Sequence, residues 1–168
     1  MSETSASATL LLVDDEPGIL SALRRLFRPH GYQLLLAESG AAGLAELEKT
    51  PVDLVISDMR MPEMDGAAFL KQVRERWPNT ARILLTGYAD ITSTVAAINE
   101  GEISRYISKP WDDDEIVGIV RDTLERQRLE SENRRLAALI QAQNEELKDL
   151  NAGLEQKVAE RTAELQQA

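Results

Sequence analysis

Several side chains that could take part in ionic chemistry stand at the ends of apolar stretches. Asp14 and Asp15 follow "LLLV", and Asp58 follows "LVIS". Thr86 ends a third apolar stretch, "RILLT", and Lys109 follows the expected strand "SRYIS". Each residue alone could be a helix cap or a turn residue. Together, three carboxylates, a hydroxyl and an ammonium could bind a hard cation or a phosphoryl group, provided that the fold brings them to one place.

The alternation of elements along the chain predicts that these ends do meet. Five strands are expected, at "TLLLV", "YQLLLA", "DLVIS", "RILLT" and "SRYIS". Helical patterns follow them, starting at Pro17, at Gly40, before Phe69, around Ile91 to Ile98, and at 112–114. Strands that alternate with helices indicate a parallel sheet covered on both faces. The carboxyl ends of such strands share one edge, where sheets of this kind bind ligands.

Three carboxylates at one edge require positive charge nearby. Two carboxylates about 5 Å apart repel each other by roughly 3 kcal/mol at an effective dielectric constant of 20. Lys109 supplies one positive charge. A divalent cation would supply the rest, and oxygen ligands with several waters suit Mg²⁺ or Mn²⁺. Such an ion would also fit the transfer of a phosphoryl group to a carboxylate nucleophile.

Four motifs carry a family resemblance. They are "LLVDDEP" (11–17), "LVISDMRMPEMDG" (54–66), "LLTGYAD" (84–90) and "RYISKPW" (105–111). In order and spacing the chain resembles the receiver domain of a two-component response regulator over residues 9–126. The resemblance implies an α/β, flavodoxin-like fold with a doubly wound five-stranded parallel sheet in the order 2-1-3-4-5.

The resemblance also implies a role for each residue that could bind metal. Asp58 would be the phospho-acceptor. Asp14 and Asp15 would hold Mg²⁺ together with Asp58, Asp14 partly through water. The main-chain carbonyl of Arg60 would be a further ligand.

The same resemblance implies roles for three more residues. Thr86 would be the switch hydroxyl, Tyr106 the switch aromatic and Lys109 the phosphate-binding cation. The peptide bond between Lys109 and Pro110 is expected to be cis.

The remaining sequence, from residue 127 to 168, predicts a coiled-coil helix continuous with the last receiver helix. It contains no proline, and apolar residues recur at alternating spacings of four and three. Asn133 occupies an a-type position, which favours a parallel homodimer. Beyond Leu154 the seam continues at Val158, a skip of four residues that resembles a stutter. The seam comprises Leu129, Asn133, Leu136, Ile140, Gln143, Leu147, Leu150 and Leu154.

Composition excludes several classes of function. The chain has no cysteine, so disulfides and thiol chemistry are excluded. Its net charge of −10 argues against direct contact with nucleic acid. No apolar run approaches the roughly 20 residues that cross a bilayer, and residues 1–8 read as a disordered leader. We therefore expect a cytoplasmic protein with no membrane association.

These patterns lead to one hypothesis and two alternatives. The chain is expected to accept a phosphoryl group on Asp58 from a histidine kinase or histidine phosphotransfer protein. It would pass the switch through a dimeric coil to a partner or to an output domain beyond residue 168, without being an enzyme except toward its own aspartyl phosphate. A Mg²⁺-dependent aspartyl-phosphate phosphatase is the first alternative, although Asp58 lacks the second acid of an Asp-x-Asp pair. The second is an inert receiver that acts as a coiled-coil adaptor.

Overall fold

The computed structural model describes residues 7–87 and 103–167. The predicted helix around Ile91, Val95 and Ile98 and most of the predicted leader lie outside these ranges, as does Tyr88 of the third motif.

All five predicted strands are present and form one parallel sheet in the order β2-β1-β3-β4-β5. The sequence-based prediction of a doubly wound, flavodoxin-like sheet is therefore confirmed. The strand bounds agree with the apolar stretches to within one residue, and β3 includes Asp58 itself. The strands are β1 Thr9–Val13, β2 Gln33–Ala37, β3 Leu54–Asp58, β4 Ala81–Thr86 and β5 Arg105–Ser108.

The helices begin where the sequence supplies a start signal. Pro17 occupies the first turn of α1, where its missing N–H costs nothing. Ser39 caps α2 by accepting a hydrogen bond from the Ala42 N–H, and Asp65 caps α3 by accepting one from the Ala68 N–H. The described helices are α1 Pro17–Phe27, α2 Gly40–Lys49, α3 Gly66–Arg76 and α4 Asp113–Gln167, with a 3₁₀ turn at Arg28–His30.

The sheet is buried on both faces. Successive residues of a strand point to opposite faces, so Leu10 and Leu12 of β1 join one core cluster and Leu11 and Val13 join the other. The first cluster includes Phe27 from α1 and residues from the start of α4, and the second is built on α2 and α3. Burial on both faces explains why the central strands β1, β3 and β4 are largely apolar, whereas the edge strands β2 and β5 are partly exposed.

The register of the strands aligns their carboxyl ends. Val13 of β1 pairs with Ser57 of β3, so Asp14 and Asp58 both follow directly from this pair. Asp58 in turn pairs with Leu85, the residue before Thr86. The polar residues predicted at the strand ends therefore share one edge of the sheet.

Gly66 allows the chain to turn closely past Asp58. A Cβ atom added at Gly66 would lie 2.1 Å from the main-chain oxygen of Asp58 and 2.8 Å from a methyl carbon of Leu84. Its own N–H donates to the Met59 main-chain oxygen at 2.8 Å. A side chain at this position would therefore collide with the backbone that carries the Asp58 carboxylate.

Two compact units divide the chain, Met1–Gln127 and Arg128–Ala168. The second unit consists of the C-terminal part of α4, which is a single 55-residue helix. Its large apolar side chains are exposed in the single chain, by 42 to 76 %. No helix among residues 7–87 and 103–167 combines the length and apolar character required to cross a membrane.

The close approach at Gly66 predicts a large effect of a single methyl group. We expect Gly66→Ala to lower the free energy of unfolding by about 2 kcal/mol or more, because the clash involves backbone that cannot move aside. Urea denaturation followed by circular dichroism measures this change.

Gly18→Ala is the matched control, because Gly18 lies in α1 and a Cβ there would meet nothing within 4 Å. That variant should be neutral or more stable by up to about 1 kcal/mol. Equal stability of the two variants would contradict the proposed close packing at Gly66.

Candidate functional site

Three carboxylates converge at the carboxyl edge of the sheet. Asp14, Asp15 and Asp58 each offer an oxygen atom, and these three atoms lie within 4.8 Å of one another. Asp14 is fully buried, Asp58 is 8 % exposed and Asp15 faces solvent. The sequence-based expectation that these three carboxylates would meet at one edge therefore agrees with the geometry.

Lys109 brings its ammonium group into the same cluster. Its Nζ donates a hydrogen bond to Asp58 Oδ1 at 2.7 Å and lies 3.5 Å from Asp14 Oδ2. The Lys109 N–H donates to the Thr86 main-chain oxygen at 2.8 Å, and the following peptide bond to Pro110 is cis. Burial alone would lower the pKa of Lys109, but hydrogen bonding to Asp58 and the charges of Asp58 and Asp14 raise that pKa above its usual value.

Only one of the two carboxylate oxygens of Asp14 accepts a hydrogen bond from a described residue. Oδ1 accepts a hydrogen bond from the Glu16 N–H at 2.9 Å. Oδ2 is buried and accepts no hydrogen bond from any residue in the described ranges. The pKa of Asp14 is raised from 3.8 to about 6. Burial is the main cause, and the charges of Asp58 and Asp15 add to it, whereas the Glu16 N–H and the charge of Lys109 oppose the rise. The site therefore holds more negative charge than Lys109 balances.

This donor set fits a hard divalent cation. It offers carboxylate oxygens from three side chains, and one of those oxygens, Asp14 Oδ2, is buried and lacks a hydrogen-bond donor. Mg²⁺ prefers such oxygen ligands and retains several waters, which the solvent-facing side at Asp15 allows. Arg60, whose main-chain carbonyl is a predicted ligand, lies two residues beyond Asp58 with an exposed side chain.

The backbone around Asp58 is fixed by two hydrogen bonds that the motif did not reveal. The Ser57 hydroxyl, fully buried, donates to the Asp58 main-chain oxygen at 3.0 Å. The Met59 N–H donates to the Leu85 main-chain oxygen at 3.0 Å, which extends the pairing of β3 with β4 past the site. A polar residue at position 57 of an otherwise apolar strand was the available sequence signal for the first of these bonds.

The two predicted switch residues differ in exposure. Thr86 is buried at the end of β4, and its hydroxyl donates to the Gly87 main-chain oxygen at 3.1 Å. Tyr106 on β5 is 40 % exposed and pairs in register with Leu84. Thr86 therefore lies at the same sheet edge as the carboxylates, whereas the Tyr106 ring is open to solvent.

The excess charge predicts that neutralising Asp14 stabilises the metal-free protein. We expect Asp14→Asn, in the presence of EDTA at pH 7, to raise the free energy of unfolding by about 1 to 3 kcal/mol. The Asn oxygen can still accept from the Glu16 N–H. Because the folded-state pKa of Asp14 lies above the unfolded value, the wild type regains stability as the pH falls through about 6 toward 3.8.

The increase in the free energy of unfolding that Asp14→Asn causes should therefore become smaller as the pH falls from 7 to 4. Urea denaturation at both pH values, with Asp53→Asn as a control outside the cluster, provides the measurement. A variant less stable than the wild type at pH 7 without metal would contradict the account of the charge.

Comparison with known proteins indicates the family to which the chain is related. A family model for the response regulator receiver domain matches residues 10–121. The chain is 41 % identical over 129 residues to the hydrogenase transcriptional regulatory protein HoxA of Cupriavidus necator. It is 40 % identical over 133 residues to the transcriptional regulatory protein GlrR of Escherichia coli K12. These matches cover 77 and 79 % of the chain but only 27 and 30 % of the relatives, so the chain spans under a third of their length.

Solved structures also match the chain in sequence and in fold. A signal receiver domain of an HD domain-containing protein from Pseudomonas fluorescens is 44 % identical, with a TM-score of 0.70 over 73 % of this chain and 98 % of that one. A structure titled adenylate cyclase from Rhodopirellula baltica is 30 % identical, with a TM-score of 0.74 over 77 % of this chain and 96 % of that one. With its sheet order, its strand-end carboxylates and these matches, the chain belongs to the response regulator receiver domain family.

Proposed function

We propose that Asp58 is the phospho-acceptor and that its donor is a phosphohistidine of a histidine kinase or histidine phosphotransfer protein. The observation that carries this assignment is the placement of the Asp58 carboxylate, which lies within the acidic cluster and accepts a hydrogen bond from Lys109. An aspartate at the end of a buried strand is rigid, because β3 is paired on both sides. The carboxylate is therefore oriented before the donor arrives.

In the transfer step, a carboxylate oxygen of Asp58 forms a bond to phosphorus while the bond between phosphorus and the donor's histidine nitrogen breaks. The histidine retains the electron pair of the broken bond, and Asp58 becomes an aspartyl phosphate. Little covalent chemistry is required of the surrounding protein, so its contribution is positioning and charge balance. Lys109, whose Nζ already lies 2.7 Å from Asp58 Oδ1, can follow the phosphoryl oxygens and offset their charge.

Asp14, Asp15, Asp58 and the Arg60 carbonyl would hold Mg²⁺. When bound, the ion supplies positive charge that neutralises the carboxylates and the incoming phosphoryl oxygens. The buried Asp14 Oδ2, which lacks a hydrogen-bond donor among the described residues, supports this assignment. With the ion absent, the same residues repel one another, which is consistent with the raised pKa of Asp14.

Thr86 and Tyr106 are proposed to report the phosphorylated state. A phosphoryl group brings about −1.5 to −2 charges and three acceptor oxygens to Asp58. The Thr86 hydroxyl, now bonded to the Gly87 oxygen, could exchange this partner for a phosphoryl oxygen. The space that it vacates would accept the exposed Tyr106 ring, so the surface near β5 would change.

The assignment of Asp58 predicts the outcome of a conservative substitution. We expect Asp58→Asn to take up no phosphoryl group from acetyl phosphate in Mg²⁺, because a carboxamide keeps the shape of the side chain but is a poor nucleophile. Intact-mass spectrometry detects the addition of phosphate. Asp65→Asn is the matched control, since Asp65 is a nearby exposed carboxylate whose role as helix cap an Asn can fill.

The control should be labelled like the wild type. Labelling of Asp58→Asn to the wild-type extent would show that another residue accepts the group. A wild type that gains no mass from any donor would instead support the inert adaptor considered above.

We also propose that residues 127–168 form a parallel two-stranded coiled coil. Six of its eight seam positions are apolar, and the large apolar seam side chains are exposed in the single chain. A single narrow row of apolar seam residues does not stabilise a long isolated helix in water. Pairing with a second copy of the helix would bury this row. The Asn133 side chains would face each other across the dimer and fix its register.

The coil would link the receiver to an output domain or partner. Because α4 is one helix from Asp113 to Gln167, a change near its start could be carried along its length, roughly 80 Å at 1.5 Å per residue. An unstructured linker would not carry a small rotation over that distance.

The proposed coil predicts where the dimer interface lies. A chain truncated after Gln127 should remain folded and phosphorylatable but sediment as a monomer, whereas residues 1–168 should sediment as a dimer at tens of micromolar. Within the full chain, Leu147→Ala should weaken dimerisation by about 2 kcal/mol because a seam residue is lost. Leu139→Ala, the same deletion outside the seam, should have a smaller effect.

Analytical ultracentrifugation provides both readouts. A monomeric full chain, phosphorylated or not, would contradict the dimer. A truncated chain that dimerises as strongly as the full chain would place the interface in the receiver.

A further inference from the structure

The Met64 side chain packs the loop that follows the phospho-acceptor against a neighbouring helix. The loop runs from Met59 to Gly66, between β3 and α3. The Met64 sulfur lies against Gly40, the first residue of α2, so closely that a Cβ added there would be 2.7 Å from Sδ. The Gln72 side-chain amide of α3 donates to the same sulfur at 3.7 Å. One thioether therefore contacts two helices and the loop.

The loop has a strained turn next to this contact. Glu63 has a φ of 69°, which is uncommon for a residue with a side chain. The Met64 N–H donates to the Pro62 main-chain oxygen at 2.7 Å, which makes the segment a three-residue turn around Glu63. Turns of this hand are rare and strained, so they require support from their surroundings. The packing of the Met64 side chain on Gly40 supplies such support.

Met64 is also the most exposed of the described methionines. Met59 and Met61 are each 8 % exposed, whereas Met64 is only partly buried at the margin of a core cluster. Oxidation of methionine converts a flexible apolar side chain into a polar one, and exposed thioethers are the more susceptible. The three residues share one loop, so they allow an internal comparison.

We propose that Met64 is a site of reversible oxidation by peroxides and that its oxidation releases the phospho-acceptor loop. A sulfur lone pair attacks one peroxide oxygen, a sulfur–oxygen bond forms and the oxygen–oxygen bond breaks. The sulfur is oxidised by two electrons, and hydrogen peroxide is reduced to water after proton transfer. Reduction by a methionine sulfoxide reductase would reverse the change.

The consequence follows from the packing. An oxygen added on the side of the sulfur that faces Gly40 would have no room, so the sulfoxide would have to rotate away from α2 or displace it. A polar sulfoxide also gains nothing from its contact with the apolar cluster that the thioether covers. The strained turn loses its support, and the loop that begins one residue after Asp58 becomes mobile. The effect on phosphorylation rests on the function proposed above, whereas the effect on the loop does not.

The test treats the full-length chain with hydrogen peroxide and follows three readouts over time. Peptide mass spectrometry measures the sulfoxide at each methionine, hydrogen exchange measures the opening of residues 59–66, and acetyl phosphate in Mg²⁺ measures labelling. We expect Met64 to oxidise at least several-fold faster than Met59 and Met61, with faster exchange in the loop. Labelling should slow by about tenfold, because a displacement of about 1 Å near reacting groups can cost up to about a hundredfold in rate.

Met64→Leu is the matched control, since leucine has a similar volume and cannot be oxidised. After the same treatment, this variant should show neither faster loop exchange nor slower labelling, although Met59 and Met61 remain. Equal oxidation rates at the three positions, or unchanged loop exchange after complete oxidation of Met64, would overturn the proposal. Faster loop exchange in a chain that takes up no phosphoryl group before or after treatment would support the oxidation site and contradict the proposed function.

Discussion

Unbalanced negative charge at the carboxyl edge of the sheet is the constraint on which the rest of the structure depends. Three carboxylates lie within 4.8 Å of one another, and Lys109 offers the nearby positive charge. Such an arrangement is unfavourable without a cation, and the pKa of Asp14 is raised, mainly by burial and further by the charge of Asp58. The protein tolerates this cost because the pairing of the buried strands holds their ends in register, regardless of the charged residues at those ends. The same charge supports the proposal that the site binds a cation and accepts a phosphoryl group.

Much of the fold and of the site could be predicted from the sequence because both arise from local patterns. Apolar runs identified β1 to β4, and the parallel arrangement placed Asp14, Asp58 and Thr86 at one edge. Details that arise from the meeting of distant segments could not be predicted. The contact of Met64 with Gly40 joins a loop to a helix 24 positions earlier in the chain, and no periodicity indicates it. The same holds for the close packing at Gly66, where an added Cβ would lie 2.1 Å from the Asp58 main-chain oxygen.

The two units of the chain depend on different kinds of stabilisation. Residues 1–127 contain a core on both faces of the sheet, with side chains such as Phe27 and Phe69 fully buried. In the second unit, residues 128–167 are all exposed in the single chain, leucines such as Leu147 included. The first unit is therefore expected to fold alone, whereas the second needs a partner surface to bury its seam.

The central claim is that the carboxylate of Asp58 itself accepts the phosphoryl group. Reduction of the phosphorylated chain with borohydride tests it most directly, because an aspartyl phosphate is reduced to homoserine and the modified position is then read by peptide sequencing in a mass spectrometer. The account predicts homoserine at position 58, in amounts that follow the extent of phosphorylation and that fall when EDTA removes Mg²⁺. Homoserine at position 14 or 15, or phosphorylated protein with no homoserine at position 58, would contradict the account.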